Sequence, residues 1–162
     1  MKYSLLLVLL FVISCGEHIP LSGKEGELIP SVNLLLMDSS SVINTRTVYK
    51  SGPTVLFFFS PYCPYCRHET ESILKSINKF KNVQICFLSV SSLNEVRDFS
   101  RNYKLTQYSN IQIGVDTAAS YLKYFSIDHV PHTSIYLHDM RLRRVFSGGV
   151  DADKILSIIN DN

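Results

Sequence analysis

An apolar run, Thr54-Val55-Leu56-Phe57-Phe58-Phe59, stops at Ser60-Pro61-Tyr62 and is followed by two cysteines, Cys63 and Cys66, two residues apart. A run with no polar alternation suits a central strand covered on both faces. Beyond the cysteines Ile73, Leu74, Ile77 and Phe80 recur at helical spacing, with Glu71, Lys75 and Lys79 elsewhere around the helix. The chain is therefore constrained to a strand, a tight turn and a helix whose first turn carries Cys-x-x-Cys. Unpaired N–H groups and the helix dipole stabilise negative charge at that place, which favours a thiolate. Only a thiolate attacks a disulfide, and a second cysteine one turn on can resolve the mixed disulfide. These residues in this pattern point to thiol–disulfide exchange.

The flanking pattern is that of an α/β domain. Val32 to Leu36 and Val42 to Tyr49 read as two short strands joined by the turn-prone Asp38-Ser39-Ser40-Ser41. Val83 to Val90 is a second buried strand, and it carries Cys86, which reads as a small core hydrophobe. Leu93 to Tyr103 is helical, Ile111 to Val115 a short strand, and Thr117 to Phe125 a helix capped by Asp116 or Thr117. Thr133 to Leu137 and Leu142 to Phe146 form a hairpin, and after Gly148-Gly149 a last helix opens at Asp151 with Ile155, Leu156, Ile158 and Ile159 inward. A parallel βαβ half followed by an antiparallel ββα half implies a mixed central β-sheet with helices on both faces.

The N-terminus locates the domain. Lys2 precedes an apolar stretch, Leu5 to Ile13, too short to span a bilayer as a mature helix and shaped like a secretory signal. It runs into Val12-Ile13-Ser14-Cys15, which resembles a bacterial lipobox and implies cleavage before Cys15 and lipid on its thiol. The expected organisation is a signal peptide over 1–14, a lipid-attached flexible tether over 15–30 and a folded domain over 31–162. The compartment is then a bacterial cell envelope outside the cytoplasm, where disulfides persist. A net charge of +2 without a basic cluster argues against nucleic acid as a partner.

This order, together with Cys63-Pro64-Tyr65-Cys66-Arg67-His68-Glu69, Pro131-His132-Thr133 and Gly148 before the last helix, resembles the TlpA/ResA-like thiol–disulfide oxidoreductases of bacterial envelopes. The resemblance implies a thioredoxin fold with an N-terminal β-hairpin extension, no cofactor and no metal. It implies a disulfide-bearing protein as substrate, apocytochromes c before haem attachment among them. A DsbD-like or CcdA-like membrane protein would be the electron donor. Two departures stand out: Tyr62 replaces the family's usual tryptophan, and Pro64-Tyr65 is a glutaredoxin-like pair.

Residue roles follow. Cys63 is the expected attacking thiolate and Cys66 the resolving thiol, the two forming the redox-active disulfide when oxidised. Glu69, three residues on and on the same helical face, is the candidate proton acceptor for Cys66; Phe57 occupies the strand position where thioredoxins proper bury an aspartate. In the resemblance Pro131 is cis, lies against the Cys-x-x-Cys and exposes the Val130 backbone for β-type pairing with substrate. Tyr62, Pro64 and Tyr65 frame the thiol as contact surface. His68, His129, His132 and His138 read as solvated loop or helix positions. The same residues would serve an oxidase that donates its disulfide, since potentials in this fold span roughly −270 to −120 mV. A metal carrier using Cys63, Cys66 and a histidine is a further alternative.

Overall fold

A computed structural model of the protein describes residues 21–48 and 52–161. The order is β1 (Asn33–Leu36), β2 (Val42–Asn44), α1 (Thr45–Val48), β3 (Thr54–Phe58), α2 (Pro64–Lys75), β4 (Gln84–Ser89), α3 (Leu93–Asn102), β5 (Ile111–Val115), α4 (Ser120–Phe125), β6 (His132–Tyr136), β7 (Leu142–Ser147) and α5 (Ala152–Asn160). The strands form one seven-stranded sheet in the order β2-β1-β5-β4-β3-β6-β7. β3, β4 and β5 are parallel, whereas β6 runs antiparallel to β3, β7 to β6 and β1 to β5. This is the thioredoxin-like mixed sheet with helices on both faces, extended at one edge by the β1–β2 hairpin.

β3 sits at the centre because it can be buried on both sides. Val55, Phe57 and Phe59 face one core, packed with Ile73, Phe99 and Ile155 from α2, α3 and α5. Leu56 and Phe58 face the other, with Tyr121 of α4 and Ile29, Val32 and Leu34 of the N-terminal segment. Phe59 stacks tilted on Phe99 at 4.6 Å and Phe57 meets Phe87 edge-on at 5.0 Å, both within the range that favours aromatic pairs.

Three boundaries differ from the sequence expectation. The strand expected over Val42 to Tyr49 ends at Asn44 and turns into α1. Thr45 is buried, its hydroxyl accepting Val32 N–H at 3.0 Å and donating to Pro30 O, while Asn44 Oδ1 accepts Arg46 N–H. Such side-chain bonds to backbone compete with the ladder and win here. The domain also begins earlier than Ser31. Leu28 bridges Arg141, Gly26 N–H donates to Leu142 O, and Ile29 is fully buried, so the last part of the segment expected as flexible tether is docked against β7. Finally, α4 starts at Ser120 rather than Thr117, because Ala119 takes a left-handed conformation (φ 52°) and Asp116 Oδ2 accepts Tyr121 N–H at 2.8 Å. The signal peptide and Cys15 lie outside the described residues.

At Gly114 the hairpin lies close against β5: a Cβ there would stand 2.8 Å from Leu34 Cβ and 3.0 Å from Leu35 O. Gly114→Val is expected to lower stability by about 1–3 kcal/mol by overpacking this seam, measured as a fall in the urea midpoint. An unchanged midpoint would show that the seam can open without cost.

Candidate active site

The apolar end of β3 delivers the chain to a turn in which Cys63 N–H donates to Ser60 O at 3.1 Å. Cys63 is the N-cap of α2, with extended backbone, and Pro64 occupies the first helical turn, where the missing N–H costs nothing. The Cys63 sulfur takes the role of a capping oxygen: it accepts the Cys66 N–H at 3.4 Å. Cys63 is partly exposed and Cys66 fully buried, both as free thiols. Burial, with smaller contributions from Cys63 and the charge of Glu69, raises the Cys66 thiol well above its ordinary range.

The Val130–Pro131 peptide is cis, and it brings the Val130 carbonyl to 3.5 Å from Cys63 Sγ, which donates to it. Gly148 N–H donates to Pro131 O at 2.8 Å, tying the end of β7 to the same loop. Gly149 lies against Tyr65, its missing Cβ only 3.7 Å from Tyr65 Cβ. Three segments distant in sequence thus meet at one end of the sheet.

Glu69 lies on the buried side of α2 with no exposed surface. Its two oxygens are each held: Thr133 hydroxyl donates to Oε1 at 2.6 Å and Val150 N–H to Oε2 at 3.1 Å. Burial outweighs both hydrogen bonds and pushes the carboxyl up to about 7. A carboxyl that gains and loses its proton near neutrality, one helical turn from Cys66, is suited to move the resolving thiol's proton.

Tyr62 and Tyr65 are exposed, at 67% and 69%, and flank the thiol as large apolar surface. Tyr62 also hydrogen-bonds Glu95, which raises its phenol. The histidines divide. His68 and His129 are exposed and sit beside Asp151 and Asp128. His132, expected to be solvated, is buried instead: its Nδ1 is 3.1 Å from Tyr121 Oη and its ring packs on Phe125 at 4.8 Å. β6 is paired with Phe58 and Ser147 from its first residue, His132, so a loop-like sequence position becomes a core position. Among the described residues no three His, Cys, Asp or Glu side chains gather as a metal-holding group. Cys86 is fully buried in β4 between Leu56 and Gln112. The sequence by itself gives Thr133 and Val150 no role in the site. Only the alternation of β6, which points Thr133 at α2, could have suggested the first; nothing local marks the second.

The AhpC/TSA family model matches residues 26–146, most of the chain. No curated protein sequence matches it. Among solved structures, the peroxidoxin BcpB of Mycobacterium tuberculosis superposes with a TM-score of 0.72 at 16% identity, over 85% of this chain and 97% of that one. A secreted M. tuberculosis disulfide oxidoreductase homologous to E. coli DsbE gives 0.67 at 15%, over 82% and 96%. StoA of Bacillus subtilis gives 0.62 at 19%, over 81% and 98%. At these identities the structural likeness speaks for the fold. With the family match, the thioredoxin-like sheet and the cysteine pair at the head of α2, the chain belongs to the AhpC/TSA family of thioredoxin-like redox proteins.

Proposed function

We propose that the protein is an extracytoplasmic thiol–disulfide oxidoreductase that reduces protein disulfides, held to an envelope membrane through lipid on Cys15. The observation that carries the reading is Cys63 at the head of α2, its sulfur facing the Val130 carbonyl across the cis-proline loop. The secreted disulfide oxidoreductase and StoA among its structural neighbours support it.

The chemistry follows from the geometry. The Cys63 thiolate attacks one sulfur of a substrate disulfide, forming a mixed disulfide and releasing the other sulfur as a thiolate. The exposed backbone at Val130 and the Tyr62, Pro64 and Tyr65 surface hold the substrate segment. Cys66 then attacks Cys63, releases the second substrate thiolate and closes the Cys63–Cys66 disulfide. A buried thiol with a raised pKa resolves slowly unless its proton is taken, and Glu69 is the acceptor. A membrane electron donor of the DsbD-like or CcdA-like class would return the pair to the dithiol. A peroxide-reducing activity is the second reading, favoured by the similarity to the peroxidoxin BcpB.

The test joins potential and trapping. In dithiothreitol or glutathione buffers the Cys63–Cys66 couple is expected near the reducing end of the fold's range, about −270 mV; a value near −120 mV would overturn the reductase reading in favour of an oxidase. Cys66→Ala should accumulate a stable mixed disulfide with a protein substrate, and Cys63→Ser should form none. Rapid turnover of hydrogen peroxide without disulfide reduction would select the second reading.

Glu69 supplies a pH signature with a defined sign. Its carboxyl titrates near 7 in the folded protein against 4.5 as its ordinary value, so the folded state binds the proton more tightly. That stabilisation is complete below about pH 4.5 and is lost as pH rises through about 7, a change of about 3 kcal/mol. The urea midpoint of the dithiol protein is expected to fall between pH 5 and 8, and Glu69→Gln should flatten that fall. The same variant should slow resolution of the Cys63 mixed disulfide by about 10²-fold at pH 8 and remove the rise in its rate through pH 7, read by stopped-flow quenching. A parallel pH profile in the variant would assign the proton transfer to another group.

A further inference from the structure

Next to the Val130–Pro131 loop a groove of about 910 Å³ opens, with Phe125, Ile127, Val145 and Gly148 in its walls and His132 lining it. Two features of this groove are not used by the chemistry above. The first is His132 itself. Its Nδ1 is engaged by Tyr121 Oη, which lies 2.7 Å from Ser134 Oγ. Burial, reinforced by nearby His129, lowers the imidazole to about 4, so the ring is neutral at ordinary pH and adds an uncharged aromatic surface, packed on Phe125, to the groove.

The second is the outer edge of β7. Gly148 N–H points inward to Pro131 O, and the register Thr133↔Phe146 continues that bonded series. Alternation therefore turns the N–H and C=O of Val145 and Ser147 outward, away from β6. Lower on the same edge the outward groups of Leu142 are paired, by Gly26 and Glu27, but those of Val145 and Ser147 have no partner among the described residues. An unpaired strand edge beside a side-chain pocket is a template for an extended polypeptide. The rim carries Lys24 and Lys154 beside Asp128 and Asp151, which balances charge and selects no ionic partner.

We propose that this groove is a second substrate subsite: the polypeptide flanking the reacting cysteine adds as a strand to β7 at Val145–Ser147 and places a large apolar side chain beside His132. The inference rests on the oxidoreductase reading and names its substrate class, a flexible disulfide-bearing segment with a bulky apolar residue near its cysteine. Spacing follows from the sheet. β6 and β7 lie one and two strands from β3, and a strand added outside β7 lies a third spacing away, about 14 Å from the line of the thiol, the reach of about four extended residues.

The test uses the full chain carrying Cys66→Ala, which retains the peptide as a Cys63 mixed disulfide. Decapeptides with one cysteine, activated as the disulfide with an aromatic thiol, carry phenylalanine or serine four residues from the cysteine, on either side. The Cys63 thiolate displaces the aromatic thiolate and the peptide sulfur stays on Cys63. Capture of a phenylalanine peptide is expected to be about tenfold faster than of its serine counterpart. Amide exchange at Val145 and Ser147 should slow at least tenfold on trapping, and the His132 Nε2 resonance should shift. Equal capture of the two peptides, or a mixed disulfide that leaves both amides unprotected, overturns the subsite while leaving the oxidoreductase reading intact. Amides already protected before peptide is added overturn it too, because the edge is then occupied by the chain itself or a second copy. Absence of any mixed disulfide overturns both readings.

Discussion

Everything in this molecule depends on β3 being apolar on both faces. A strand that must be covered on two sides takes an interior place in a sheet, and here its neighbours are β4 and β6. The C-terminal end of β3 can leave the sheet only at one end, and there the turn at Ser60 and the proline at the head of α2 convert strand to helix within a few residues. The cysteine pair occupies that conversion point. Its partly exposed and fully buried members differ because one caps the helix and the other faces the core a turn later.

β6 organises the other half of the site through its period of two. Thr133 points to the α2 face and holds Glu69, whereas His132 and Ser134 point to the opposite face and engage Tyr121. One strand therefore ties the redox helix to the proton site on one side and to α4 on the other. The price of this arrangement is a buried carboxyl that has no counter-ion among the described residues and is held by two hydrogen bonds from neutral donors. Those bonds are too weak to keep it ionised at low pH, and that leaves it free to exchange a proton near neutrality.

The core elements were legible because their signals were local and strong. TVLFFF, the buried run around Cys86 and the hairpin after Pro131 were each long enough, or flanked by clear enough turns, to declare themselves. The β1–β2 hairpin was less legible: Val42 to Tyr49 reads as strand, and only the burial of Thr45 under Pro30 and Val32 shows why the ladder stops. At His132 the sequence misleads for a related reason. Beside a proline and between two other histidines it looks like loop, and only the packing of Phe125 and Tyr121 around it makes it core.

What this amino-acid sequence determined alone was the chemistry at one point: two thiols a helical turn apart at the end of a buried strand, with an acid on the same helical face. Periodicity and capping are written in neighbouring residues, so such features survive without knowledge of the fold. Tertiary structure decided what surrounds that point. The Val130 carbonyl, Thr133, Val150 and the outer edge of β7 come from segments about 65 to 85 residues away, brought together by strand order and register. No local pattern specifies those contacts, because each depends on how the sheet pairs, and pairing is a property of the whole chain.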